Sequence, residues 1–179
     1  MMETIRTVLS FFEAVGQVVG TLLVAAIVVG AIRFAWMGRT SRRMPPSVSP
    51  TGGPLRADGT KPNWVATTAP ARDPLHYIAP RPSPANPIPA LLDHLRQGKF
   101  TVVAATERYI HATQSSARFG FVDDIEFLYD PNQGLLHARS ASRVGYSDFG
   151  VNRRRLEAIF RETGLAGNGK TGGAQPAKG

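Results

Sequence analysis

The stretch Phe119–Ser142, FGFVDDIEFLYDPNQGLLHARSAS, decides the fold. Ile125, Phe127 and Tyr129 recur at every second position, with Phe121 in the same phase. That period belongs to a strand with one buried face. DPNQG is a turn by its chemistry, with proline after aspartate, then asparagine and a closing glycine. LLHARSAS is a returning strand. Pairing about a five-residue turn sets Asp124 opposite Ser140 and Ile125 opposite Arg139. Asp123 then lies opposite Ala141 and diagonal to Arg139, so acidic and basic side chains meet across one hairpin.

Upstream, FTVVAA reaches a turn near Thr106–Glu107, and RYIHATQSS returns as another strand. Before these, IPALLDHLRQG places Ile88, Leu91, Leu92 and Leu95 at helical spacing, with Gly98 as a stop. Downstream, a helix carries Phe149, Leu156, Ile159 and Phe160 on one apolar stripe. The order helix, four strands, helix predicts an α+β domain. Its sheet is a four-stranded antiparallel meander with two helices on one face. HYIAPRPSPANPIP contains one Pro-x-x-Pro, Pro84 to Pro87, and reads as an extended arm along the domain.

The globular composition covers 63–163, with 164–179 as a polar tail. Residues 38–62 are rich in proline and glycine and read as a linker that does not fold alone. Extended, it would hold the domain up to ~60 Å from its anchor. That anchor is read at 14–37, after an N-terminal segment 1–13. Ala14 to Ile32 contains no charged residue and covers roughly 28 Å as a helix, about the thickness of bilayer hydrocarbon. Arg33 can snorkel, and Trp36 suits the interface. A cleaved signal peptide is the rival, but its basic n-region and small-residue cleavage site are missing. Arg6 alone precedes the span, while Arg33, Arg39, Arg42 and Arg43 follow. The positive-inside rule therefore predicts a single-pass membrane protein with a cytoplasmic C-terminal domain; the periplasm is the alternative. Gly16 and Gly20 are spaced for a close helix–helix contact, repeated by Ala26 and Gly30, and would support a weak homodimer. Glycines are common in membrane helices in any case.

The 179 residues carry a net charge of +8. That balance favours anionic partners: lipid headgroups, an acidic protein surface or nucleic acid. No cysteine is present, which excludes disulfides and thiolate chemistry. His76, His94, His111 and His137 show no ligand-like spacing, although His111 and His137 can lie on neighbouring strands. No phosphate loop, nucleophile elbow or dinucleotide fingerprint occurs. No cofactor or metal is expected. Nucleic acid is not expected either, because GRTSRR accounts for much of the charge and no stacking platform is visible.

The densest chemistry lies in RSASRVGYSDFGVNRRRLEAIF, Arg139 to Phe160. Ser147 or Asp148 can cap the helix, and Asp148 complements its positive end. Arg153, Arg154 and Arg155 need a negative partner there, with Arg155 pointing away from Arg154. The candidate residues are Asp123, Asp124, Arg139, Ser140, Ser142, Arg143, Tyr146, Asp148, Asn152, Arg153 and Arg154. Three readings fit them. They form a binding surface for an anionic ligand or acidic protein partner. They form an enzyme site with Asp123 or Asp124 as base or metal ligand. Or they are an internal salt-bridge and capping network.

FGFVDDIEFLYD, ARSASRVGYSDFGVNRRRLEAI and PNWVATTAPARDPLHYIAP resemble domain-of-unknown-function family 1499. The resemblance covers nearly all of Asn63 to Arg161, and the run RSASRVGYSDFGVNRRR makes it specific. It implies a bacterial membrane-associated or exported α+β domain, with relatives in plastids, and no established activity. Trp64 stands where relatives often have cysteine. The exported form of some relatives conflicts with the orientation read from the local charges.

Overall fold

The computed structural model describes residues 1–49, 53–57, 59–117 and 119–165. The tail predicted at 164–179 lies outside them beyond Leu165. Helix α1 (Met2–Arg43) runs without a break through the apolar stretch, ~63 Å at helical rise. It is long and apolar enough to cross a membrane, with mean hydropathy 2.3 and none of that stretch buried against the rest of the chain. A helix of this kind near an N-terminus serves as a membrane anchor or a signal sequence.

The domain is α+β. Its strands are β1 (Trp64–Ala66), β2 (Arg81–Pro82), β3 (Thr101–Ala105), β4 (Tyr109–Ser115), β5 (Val122–Asp130) and β6 (Leu135–Ser142). The sheet order is β1-β6-β5-β4-β3, with β2 also on β6. Every ladder is antiparallel. The meander β3 to β6 matches the expectation, but the sheet has six strands rather than four. The two additions were hidden for physical reasons. Trp64–Ala66 is buried throughout, so it shows no alternation. Arg81–Pro82 is two residues long and contains a proline, which an edge position tolerates. The proline-dense arm does pack along the domain, with Ile78 in the core.

Helices α2 (Ile88–Gln97) and α3 (Val151–Glu162) cover one face of the sheet. Leu91 and Leu95 of α2 and Leu156, Ile159 and Phe160 of α3 pack on Ile110, Ile125, Phe127, Leu136 and Ala138. Burying side chains of this size stabilises by about 1.5–3 kcal/mol each. Phe149 is not on this stripe: it precedes α3, has φ 52° and is 87% exposed.

The hairpin register differs from the expected one by a residue. Asp130 belongs to β5 and pairs with Leu135, so the connection is four residues, not five. Ile125 therefore faces Ser140, Asp124 faces Ala141, Asp123 faces Ser142, and Arg139 faces Glu126. A slip of one residue changes every cross-strand partner.

The stretch after α1 is not an outstretched spacer. Ser41 Oγ accepts the Val122 N–H at 2.9 Å, and Arg42 Nε donates to the Gly120 carbonyl at 3.4 Å. Residues 44–49 then lie on the sheet face that the helices leave open.

Candidate functional site

Adjacent strand residues point to opposite faces. Asp123 and Asp124, grouped by sequence, thus belong to two separate networks.

On the helix face, Arg155 of α3 reaches Asp123 Oδ2 and donates to Gln114 at 2.7 Å and Ser140 Oγ at 2.9 Å. Its Nη1 also reaches Asn152 Oδ1 at 2.6 Å. Asn152 Nδ2 donates to the Asn63 carbonyl at 2.9 Å and to Ser142 Oγ at 3.2 Å. This network ties α3 to β4, β5, β6 and the entry to β1.

The α3 start is capped from outside. Gly150 is the N-cap with φ 75°, a left-handed conformation suited to glycine. Asp148 accepts the N–H groups of Gly150 at 3.0 Å and Asn152 at 2.7 Å. Arg153 donates to the carbonyls of Pro74, Leu75 and Tyr77, fastening the arm. Arg154 is exposed and, among the described residues, hydrogen-bonds the Phe149 carbonyl alone, at 2.9 Å. Tyr146 is 72% exposed.

The open face carries the more unusual arrangement. Asp124 and Glu126 are both fully buried. Asp124 accepts from His111 Nε2 at 2.9 Å and from Arg143 through Nε at 2.9 Å and Nη2 at 2.8 Å. It also accepts the Ser47 N–H at 2.9 Å and its hydroxyl at 3.0 Å. Burial alone would raise this carboxyl, but the bonds from His111, Arg143 and Ser47 outweigh it and hold it well below the usual range. Glu126 accepts the Ser49 N–H at 3.0 Å, the Tyr109 hydroxyl at 2.8 Å and Arg139 Nη1 at 3.3 Å. Burial and then the Glu126 charge push the Tyr109 hydroxyl far up, so it stays a proton donor. Arg143 Nη1 donates to the Met44 carbonyl at 3.0 Å.

Two carboxylates two residues apart on β5 thus take two N–H groups two residues apart on an extended segment. The strand repeat of about 6.6–6.8 Å per residue pair makes the spacings commensurate. The fit is incomplete at one atom: Ser49 Oγ is buried without a hydrogen-bond partner among the described residues.

Sequence reasoning did not place Glu126, Tyr109, His111, Ser47 or Ser49 in the site, and considered His111 only as a neighbour of His137. The first three share a signal, the polar phase of the alternation in β4 and β5. His111 and His137 are not on neighbouring strands, because β5 lies between β4 and β6. His137 Nδ1 lies 3.1 Å from Thr67 Oγ1. Among the described residues, no three His, Cys, Asp or Glu side chains are grouped to hold a metal ion.

This is a small antiparallel α+β domain behind a long apolar helix. Residues 54–162 match the family described as "Protein of unknown function (DUF1499)", and the chain belongs to that family. No match was found among curated proteins or among solved structures. The family match contains Asp124, Glu126, Arg139 and Arg143, but it begins after the segment that covers them.

Proposed function

We propose that the chain is a membrane-anchored docking module, in which the open sheet face binds an extended stretch of polypeptide. In this chain its own segment, residues 44–49, takes that place. One observation carries the reading: buried Asp124 and Glu126 accept alternate backbone N–H groups, from Ser47 and Ser49. Recognition of this kind holds an extended chain through its backbone, and here the Ser47 hydroxyl adds one side-chain bond to Asp124. The covering segment lies outside the family match, whereas the face lies within it. The Ser49 hydroxyl, buried without a partner among the described residues, costs the bound segment about 1–3 kcal/mol, which favours exchange for a better-fitting chain.

The arginine cluster supports this reading over an anion site. Arg139, Arg143 and Arg155 are paired with Glu126, Asp124 and Asp123. Arg153 is spent on carbonyl groups. An anion would have to compete with these partners.

Anchoring rests on α1. Its exposed apolar flank, with Leu22, Leu23, Ile27 and Val29 all at least 60% exposed, has no other cover among the described residues. Gly38 and Ser41 are buried, with Ser41 bonded to Val122, which favours a retained helix over a cleaved signal. The arginines after the span favour a cytoplasmic domain. Resistance to carbonate extraction and a C-terminal topology reporter check these two points.

The docking reading is tested by competition. Ser47→Pro with Ser49→Pro removes both N–H donors and keeps the segment extended. A labelled MPPSVS peptide, the sequence Met44–Ser49, should then bind the detergent-solubilised full-length variant and be excluded by the parent, read by anisotropy. A variant that keeps its cooperative melt yet takes up no peptide overturns the reading.

A further inference from the structure

We propose that the cleft where α1 meets the β4–β5 turn binds the phosphate of an anionic membrane lipid. The inference rests on α1 spanning a bilayer but not on the docking face, which it does not touch.

Depth is the first argument. Phe34 lies within the apolar run of α1, before its end at Met37. Its ring lies 5.2 Å from that of Phe119 and 6.1 Å from that of Phe121. The turn carrying these rings is therefore at the level where hydrocarbon gives way to headgroups. It is held there by close backbone approach: a Cβ on Gly38 would overlap the Phe119 carbonyl. The bonds from Ser41 to Val122 and from Arg42 to Gly120 fix the same contact.

Chemistry is the second. A cleft of about 450 Å³ opens there, lined by Ala35, Arg39, Arg42, Ser116, Phe119 and Gly120 among others, with no carboxylate in its wall. Ala35 and Phe119 supply the apolar side that acyl chains require. Arg39 and Arg42 lie one turn apart on the same helix face, and neither has a carboxylate partner among the described residues. Two guanidinium groups beside apolar walls, at headgroup depth, suit a phosphate diester with one net negative charge.

The test uses the full chain in vesicles of mixed phosphatidylglycerol and phosphatidylcholine, followed by mild extraction and lipid analysis. The parent should retain phosphatidylglycerol preferentially. Arg39→Gln and Arg42→Gln should each lower that preference about fivefold. Arg43→Gln, at the same helix end but outside the cleft, should leave it unchanged. Arg39→Gln removes no internal bond among the described residues, so its effect is separable from misfolding. Equal losses from all three substitutions would mean bulk charge and overturn the site. A melting temperature raised as much by inorganic phosphate in detergent as by phosphatidylglycerol would overturn the lipid assignment. A parent chain that fails to insert into vesicles would remove the span reading as well, and so fails differently from one that inserts without lipid preference.

Discussion

The two faces of the sheet carry polar networks built on adjacent residues, Asp123 and Asp124, yet they differ in how they are completed. On the helix face every partner lies within the domain: Asp123, Gln114, Ser140 and Asn152 close around Arg155. On the open face Asp124 and Glu126 have His111, Arg143, Tyr109 and Arg139 as partners and also accept the N–H groups of Ser47 and Ser49, about 77 residues away along the chain. The first network resembles a weld between α3 and the sheet. The second resembles a socket with a plug, because its ion pairs lie within the domain while two of its N–H donors come from the segment after α1.

The largest effect expected from breaking this contrast is on the open face. Arg143→Met strips the forked guanidinium from a carboxylate with no water contact and should cost about 3–5 kcal/mol in urea unfolding of the solubilised protein. Acid should act on the same side. The folded-state pKa of Asp124 is lowered, so its contribution is present above the ordinary aspartate value and is lost as the pH falls through the folded one. Hydrogen exchange at the Ser47 amide should therefore gain protection between acid and about pH 5, well beyond the intrinsic rate change. Arg155→Met on the helix face should cost less, about 2–3 kcal/mol, because the Asp123 side chain keeps 13% exposure. Equal losses from Arg143→Met and Arg155→Met would erase the distinction between the faces. Asn152→Ala should cost about 1–3 kcal/mol by leaving buried partners unsatisfied. Arg154→Ala, exposed and bonded to one carbonyl, should stay within about 0.5 kcal/mol in thermal melts.

The apolar phase of β5 was legible because Ile125, Phe127 and Tyr129 repeat over enough residues to reveal a period. The helices were legible for the same reason, and α1 by its length. The register was not, because Asp130 can end a strand or begin a turn, and its pairing with Leu135 in the ladder decides which. That single residue moved Arg139 from the neighbourhood of Asp123 to Glu126. Grouping Asp123 with Asp124 followed sequence adjacency where the strand pleat separates them. The contacts of Ser47 and Ser49 left no local mark, since an extended serine–proline stretch looks the same free or docked.

The shortness of the tether after α1 has its own consequence. Ser47 follows Arg43, the last helical residue, by four positions, and Arg43 lies two residues beyond the Ser41 contact with β5. A segment held so near its site acts at an effective concentration of about a millimolar or more. A free chain of equal affinity, present at about a micromolar, is outcompeted roughly a thousandfold. On the docking proposal, a partner confined to the same bilayer would share the segment's geometric advantage, and the anchor would select which competitors reach the face on equal terms.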